Sequence, residues 1–271
     1  MAGTKEPEIT LGTVSITTPK TQVKRMAMVI WGPSGAGKTT LAATAPRPIL
    51  WINFDPDGTS SLMDQEGILI ADFSMENSNK VVTFKHESSG GIKQVLEDHP
   101  EIKTVVFDSV TSFNEMALKH GITEVRGATM EAPTLQGYGR RNSYTMQAIM
   151  SVIRTTGAVN KHVIFIAHED VPKQDELTGA MMVSILVGGK MQSEIPIKLS
   201  EVWHLQDTGK KRLIAIRSSR LRKPMKSRMF ETSGNSEFTW NFDPESWEGA
   251  GIEDWYITWV ENEGRKIPLP K

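Results

Sequence analysis

The chain has 271 residues, of which 38% are hydrophobic and 23% charged, and a formal net charge of -1. That length and composition suit a globular protein with a large buried core, and the near-zero charge excludes a molecule held to nucleic acid by bulk positive charge. There is no cysteine, so disulfides, thiolate metal sites and cysteine nucleophiles are excluded.

Residues 1–22 alternate weakly (Ile9, Leu11, Val14, Ile16) among Thr, Gly and Pro. They read as an arm that could add a strand to a neighbour. The first twenty residues carry no apolar signal core. No apolar run approaches the ~20 residues that span a bilayer, so the expectation is a cytoplasmic protein without a membrane partner. From Met26 to Trp31 the chain is apolar and β-prone, as a buried central strand requires. Glycines follow, then a helix from Lys38 to Ala45 that Pro46 ends. A second buried strand runs from Ile49 to Phe54 and closes in the turn sequence Asp55-Pro56-Asp57-Gly58.

Short strands are expected from Ile68 to Phe73 and from Val81 to Phe84, then a helix from Gly91 to Asp98 that stops before Pro100. A third apolar strand runs from Lys103 to Phe107, a helix from Val110 to His120, and a loop from Gly121 to Tyr138. Arg140 to Thr156 has the pattern of an amphipathic helix. His162 to Ala167 is a fourth buried strand. Further strands recur from Glu201 to Leu205, Arg212 to Ile216 and Met229 to Thr232. The predicted fold class is α/β: a mostly parallel sheet flanked by helices, with late antiparallel strands. The expected division is an arm over 1–22, a core over 23–232 and an acidic tail over 233–271. The tail holds Trp240, Trp247, Trp255 and Trp259. It reads as a packing helix, a partner hook or a lid, the plainest role for the rings being to anchor it to the domain.

The chemistry concentrates where strands end. Gly32, Pro33, Ser34, Gly35, Ala36, Gly37, Lys38 and Thr39, followed by Thr40, match G-x-x-x-x-G-K-[ST] between a strand and a helix. Glycines turn backbone N–H groups toward phosphate oxygens, and the helix start adds partial positive charge. Lys38 then reaches the outer phosphates and the Thr39 hydroxyl ligates magnesium. The cofactors implied are ATP and Mg2+. Asp108 ends the third buried strand, at the crevice where nucleotides sit. It reads as the second magnesium-site residue, against a plain helix-capping role. Asp55 or Asp57 could orient or deprotonate an attacking water, or serve the turn alone. His168 follows the fourth buried strand, where a polar side chain can contact the terminal phosphate and pass its state to the next loop.

From Lys210 to Arg228 nine basic residues occur without an intervening Asp or Glu, which points to a local anionic contact.

The order of these elements, from about Met26 to Phe230, resembles the RecA-like ATPases, in particular the phage-type RecA/RadA-related proteins of single-strand annealing. The resemblance rests on the P-loop, the strand ending Asn53-Phe54-Asp55-Pro56-Asp57, then Val-Val-Phe-Asp-Ser, a long helix, and Phe-Ile-Ala-His. It implies that the acidic residue after the second strand activates water. Asp57 matches that position best, although the family more often carries Glu. It implies a sensor at His168, where the family often has Gln. It also implies loops lining single-stranded DNA at Gly121 to Gly139 and Glu169 to Lys190. The DNA-facing candidates are Arg126, Tyr138, Arg140, Lys173 and Lys190. Arg217, Arg220 and Arg222 are candidates to reach a neighbouring subunit's ATP.

The expected function is an ATP-binding, hydrolysing protein that holds single-stranded DNA in recombination or annealing. It would act as a homo-oligomer (ring or filament), alongside a single-strand-binding or replication partner, in a host cytoplasm if phage-encoded. The alternatives are a non-DNA motor or partner-remodelling P-loop ATPase, and a nucleotide kinase, for which no arginine-rich lid is evident.

Overall fold

The computed structural model describes residues 10–12, 14–15, 24–85, 91–174, 179–219, 222, 225–232, 234 and 236–270. An eight-stranded sheet carries the site. In chain order its strands are β1 (Ala27–Gly32), β2 (Ile49–Asn53), β3 (Ile68–Asp72) and β4 (Thr104–Asp108). They continue as β5 (His162–His168), β6 (Glu201–Asp207), β7 (Arg212–Ala215) and β8 (Glu237–Trp240). Their spatial order is β8-β7-β6-β1-β5-β4-β2-β3. From β6 to β3 every pairing is parallel, and β7 and β8 close the sheet antiparallel. All residues of β1, β2 and β4 are buried, as strands covered on both faces must be. The parallel register brings the ends of β1, β2, β4 and β5 to one edge, with Gly32 opposite His168 and Asn53 opposite Asp108.

Alternate side chains feed two cores. One face of the sheet packs Val29, Phe107 and Phe165 against α3 (Val110–Thr123) and α4 (Leu135–Ala158), with Leu96 of α2 (Ile92–Asp98) in the same core. The other packs Met28, Ile30 and Trp203 against α1 (Lys38–Ala43) and α6 (Ile252–Glu261). At the end of β2, Phe54 sits among Phe107 (4.6 Å between centroids) and Phe113 (5.1 Å). Each such buried ring stabilises the fold by roughly 2–3 kcal/mol, and this one fixes the backbone from which Asp55 projects.

Several expectations change. Residues Ser78–Phe84 form a 3₁₀ helix where a strand was expected. Val81 and Phe84, three apart, both bury, which a three-residue turn allows. The long helix α4 begins at Leu135, five residues before Arg140, with the Thr134 hydroxyl accepting from the Gly137 N–H at 3.2 Å. Gly137 and Gly139 hid that start. At Gly137 a Cβ would come 3.1 Å from the Ile122 side chain, and at Gly121 one would come 2.8 Å from the Arg140 Cβ. Close packing of α3 on α4 therefore excludes side chains there. The loop expected from Gly121 to Tyr138 shrinks to 124–134, since α3 extends to Thr123. The seven-residue helix α5, Met191–Ile197, has no counterpart among the expected elements.

Met229 to Thr232 forms no strand of the sheet. Phe230 makes a single bridge to Ile267, and the edge strand is β8, from the segment read as tail. Trp240 and Trp255 are buried, and Trp247 and Trp259 pack against the same core, so the rings anchor this segment. Among the described residues, no helix is long and apolar enough to cross a membrane.

Candidate nucleotide-binding site

A cleft of about 550 Å³ opens over the strand ends, lined by the P-loop, Asp55, Asp108, His168, Arg212 and Pro244 among others. Gly35 and Gly37 hold positive φ (76° and 94°), a backbone that glycine adopts without strain and that lets N–H groups converge. Lys38 is buried, and its Nζ donates to the carbonyls of Gly32 (3.1 Å) and Pro33 (2.7 Å). Burial lowers its pKa, opposed by the fields of Asp108, Asp55 and Glu169. A buried ammonium held by neutral carbonyls fits an anionic ligand above it. Thr39 Oγ1 donates to Asp108 Oδ2 at 3.5 Å. Burial, reinforced by Asp55, pushes the Asp108 carboxyl up to about 7, against the pull of His168 and Lys38. A carboxyl so placed ionises fully when a cation sits against it. One hydroxyl and one carboxylate beside a phosphate loop is a donor set that suits magnesium, which keeps phosphate and water as its other ligands.

The two candidate water-activating residues separate. Asp55 lies in the cleft, where its Oδ1 accepts from Ser109 (3.3 Å) and from Ser112, while its Oδ2 faces His168 Nε2 at 3.6 Å. Burial raises the Asp55 pKa. Hydrogen bonds from His168 and Ser112, the field of His168 and a bond from Ser109 outweigh that and lower it overall. Asp57 is exposed on the turn at φ 57° and does not line the cleft. The structure thus brings Asp55 to the reaction space in place of Asp57. Ser109 and Ser112 escaped the sequence reading as site residues. Their one local signal is the cap: Ser109 follows the strand, and its Oγ accepts from the Ser112 N–H at the start of α3.

Behind His168 the contacts run into the next loop. His168 N donates to Thr111 Oγ1 (3.0 Å), Thr111 Oγ1 donates to Leu186 O (3.2 Å), and Leu186 N donates to His168 O (2.8 Å). Glu169 Oε2 meets His204 Nε2 at 2.6 Å, and the Glu169 N–H donates to Gly32 O. This ties the same loop to the P-loop strand.

The remaining candidates lie elsewhere. Tyr138 and Arg140 are exposed in the first turns of α4, and Arg126 is exposed between α3 and α4. Arg140 pairs with Glu124 (3.6 Å) and Lys173 with Asp170. Lys190 is exposed just before the Met191–Ile197 helix. Arg141 stacks over the Tyr138 ring (4.9 Å) and crowds Gly188 so closely that a Cβ there would overlap it. The two candidate DNA loops therefore meet at the start of α4. Arg217 follows β7 at the sheet edge opposite the cleft, and Arg222 is paired with Glu237 (3.1 Å) and Gln206 (2.5 Å). Neither lines its own chain's cleft. Arg220 lies outside the described residues.

Arg212, which the sequence reading held only as one member of the basic block, borders the P-loop: a Cβ on Gly37 would stand 3.3 Å from Arg212 Nε. Its sequence signal was diluted by eight other basic residues in the same block.

A P-loop between β1 and α1, an acidic strand end at β4 and a sheet with β1 between β6 and β5 define a RecA-like P-loop ATPase core. The chain matches the family described as AAA domain over residues 24–238, and it belongs to that family. In fold it is similar to the RadB recombinase crystal structure at 13% identity, covering 81% of this chain and 90% of that one, with a TM-score of 0.43. It is also similar to a prototypical ATPase from the type III secretion system of pathogenic bacteria, again at 13% identity, with a TM-score of 0.41. That match covers 67% of this chain and 52% of the other, so the chain spans about half the secretion ATPase's length. No curated protein matches the chain.

Proposed function

We propose that this protein hydrolyses ATP in a magnesium-dependent reaction and couples the bound state to single-stranded DNA, as an oligomer acting in recombination or annealing. The contact that supports this most is His168, whose side chain faces Asp55 in the cleft while its backbone holds Leu186 in the following loop. Lys38 binds the outer phosphates, Thr39 and Asp108 hold the cation, and Asp55 orients the attacking water. Magnesium, when bound, neutralises phosphate charge. Asp55 is kept ionised by its donors, so it accepts a hydrogen bond from water at neutral pH.

The DNA contact falls where the two loops meet, with Tyr138 for stacking and Arg126, Arg140, Lys173 and Lys190 along the backbone. Arg217, Arg220 and Arg222 are assigned to the neighbouring copy's nucleotide. A single-strand-binding or replication protein is the further partner.

Phosphate release with and without single-stranded DNA, at low and moderate salt, tests the reading. Stimulation that fades with salt is expected. Turnover indifferent to DNA, combined with no direct DNA binding, would refute the DNA role. The ion pairs of Arg140 and Lys173 neutralise two of the expected contacts and favour, as a second reading, a partner-remodelling ATPase. That reading predicts stimulation by a protein instead.

A further inference from the structure

The cleft does not end at the P-loop. Asp55, Asp108 and His168 stand at the ends of β2, β4 and β5, on one side of β1 in the sheet. On the other side, beyond β6, lie Arg212 at the start of β7 and Pro244 just after β8. Both residues also line a second hollow of about 430 Å³, together with Trp240 and Phe242, so the two spaces adjoin at Arg212 and Pro244. A triphosphate that runs along the P-loop with its terminal end at Asp55, Asp108 and His168 brings its nucleoside to the Arg212 side.

From this geometry we infer a base-binding subsite in which the Arg212 guanidinium, backed by Trp240, stacks on the nucleoside's aromatic ring, with Pro244 as the opposing wall. The proposal rests on the nucleotide-binding reading of the P-loop. Arg212 lies over the Trp240 ring, 5.6 Å from its centroid, and its Nε pairs with Asp207 Oδ2 at 3.6 Å. Trp240 is itself fixed: its indole N–H donates to Ala250 O at 3.0 Å, and Phe242 stacks on it at 5.2 Å and 15°. The guanidinium thus sits over one ring while Arg212 also borders the cleft, and Asp207 pairs with it. A planar cation so held suits a π-face better than a phosphate. The subsite also gives the segment after β8 a part in ligand binding.

The test compares ATP with inorganic tripolyphosphate, both with magnesium, by titration calorimetry on the full chain. Wild type should bind ATP more tightly than tripolyphosphate. Arg212→Ala should weaken ATP about tenfold and spare tripolyphosphate. Arg212→Lys keeps the charge and the Asp207 pair but loses the plane, and should behave like the alanine variant; it also guards against misfolding as an explanation. Equal loss on both ligands would make Arg212 a phosphate contact and overturn the subsite, as would no loss on ATP. Equal wild-type affinity for both ligands overturns the subsite alone. No wild-type binding of either ligand overturns the nucleotide reading and the subsite with it.

Discussion

The acidic flank of the cleft and the surface at the start of α4 are built on opposite principles. In the cleft, Asp55 accepts from Ser109 and Ser112 and faces His168, while Lys38 and Asp108 lie within each other's fields. Their positions follow from buried strands that cannot shift without breaking the core. At the start of α4, Tyr138, Arg126 and Lys190 are exposed on loops and first turns, where Arg141 lies against Gly188 and over the Tyr138 ring. Chemistry that needs fixed distances sits on the rigid edge. The contacts proposed for single-stranded DNA would instead sit on exposed loops and helix starts. Substitutions on the first surface should therefore cost much and act specifically, and those on the second should cost little each and add.

The sharpest test of the rigid side separates its two carboxylates. Asp55→Ala should lower turnover about a thousandfold, roughly 4 kcal/mol, while ATP affinity stays within a fewfold. Asp57→Ala should leave turnover within about twofold, as exposed turn residues usually do. Steady-state phosphate release with a parallel binding titration checks both. If Asp57→Ala were the inactive variant, the chain would have to rearrange on binding ATP, and the cleft would not be preformed.

Lys38→Ala comes next. Removing a buried ammonium that faces phosphate should weaken ATP roughly a hundredfold, about 3 kcal/mol. Calorimetry reads this directly. The residual carbonyls of Gly32 and Pro33 would then face phosphate unscreened, so Lys38→Arg, whose planar head matches the site poorly, should not restore full affinity. Full restoration would show that the site reads charge without shape.

How far these features were legible in the sequence follows from the same division. The P-loop and Asp108 are local: a strand, a turn and a helix in one stretch define them, and the structure has them facing one cleft. The choice between Asp55 and Asp57 is not local. It is decided by Ser109, Ser112 and His168, which lie more than fifty residues away in the chain, and by Phe54 packing on Phe107 and Phe113. Arg212 was hidden for a related reason, since its partner Trp240 lies in another strand. The start of α4 was obscured by Gly137 and Gly139, the first of which packs against Ile122 of α3, and β8 was assigned to the tail because the strand it pairs with, β7, lies more than twenty residues earlier. Periodicity reports a residue's burial and not which distant residue buries it.

On the adaptable side, Tyr138→Ala should weaken single-stranded DNA about tenfold, in line with ~1–3 kcal/mol for one base stacked on an aromatic ring. Arg141 already covers one face of that ring, so a base would take the other, and Tyr138→Phe should bind as wild type. Fluorescence anisotropy with a labelled oligonucleotide distinguishes the two. Equal loss for Phe and Ala would point to the hydroxyl and against stacking.

The smallest effect should come from Lys190→Ala. The residue is exposed and precedes the Met191–Ile197 helix, where its carbonyl accepts from the Ser193 hydroxyl and its side chain is not needed for that turn. Stability should therefore be unchanged within about 0.5 kcal/mol. If Lys190 neutralises one phosphate, the slope of log affinity against log salt should fall by about 0.7, with the affinity change largest at low salt and nearly gone at high salt. An unchanged slope would remove Lys190 from the DNA surface. A slope unchanged in Arg126→Ala as well would leave only Arg140 and Lys173, both ion-paired, as candidate phosphate contacts, and would shift the balance toward a protein partner at the start of α4.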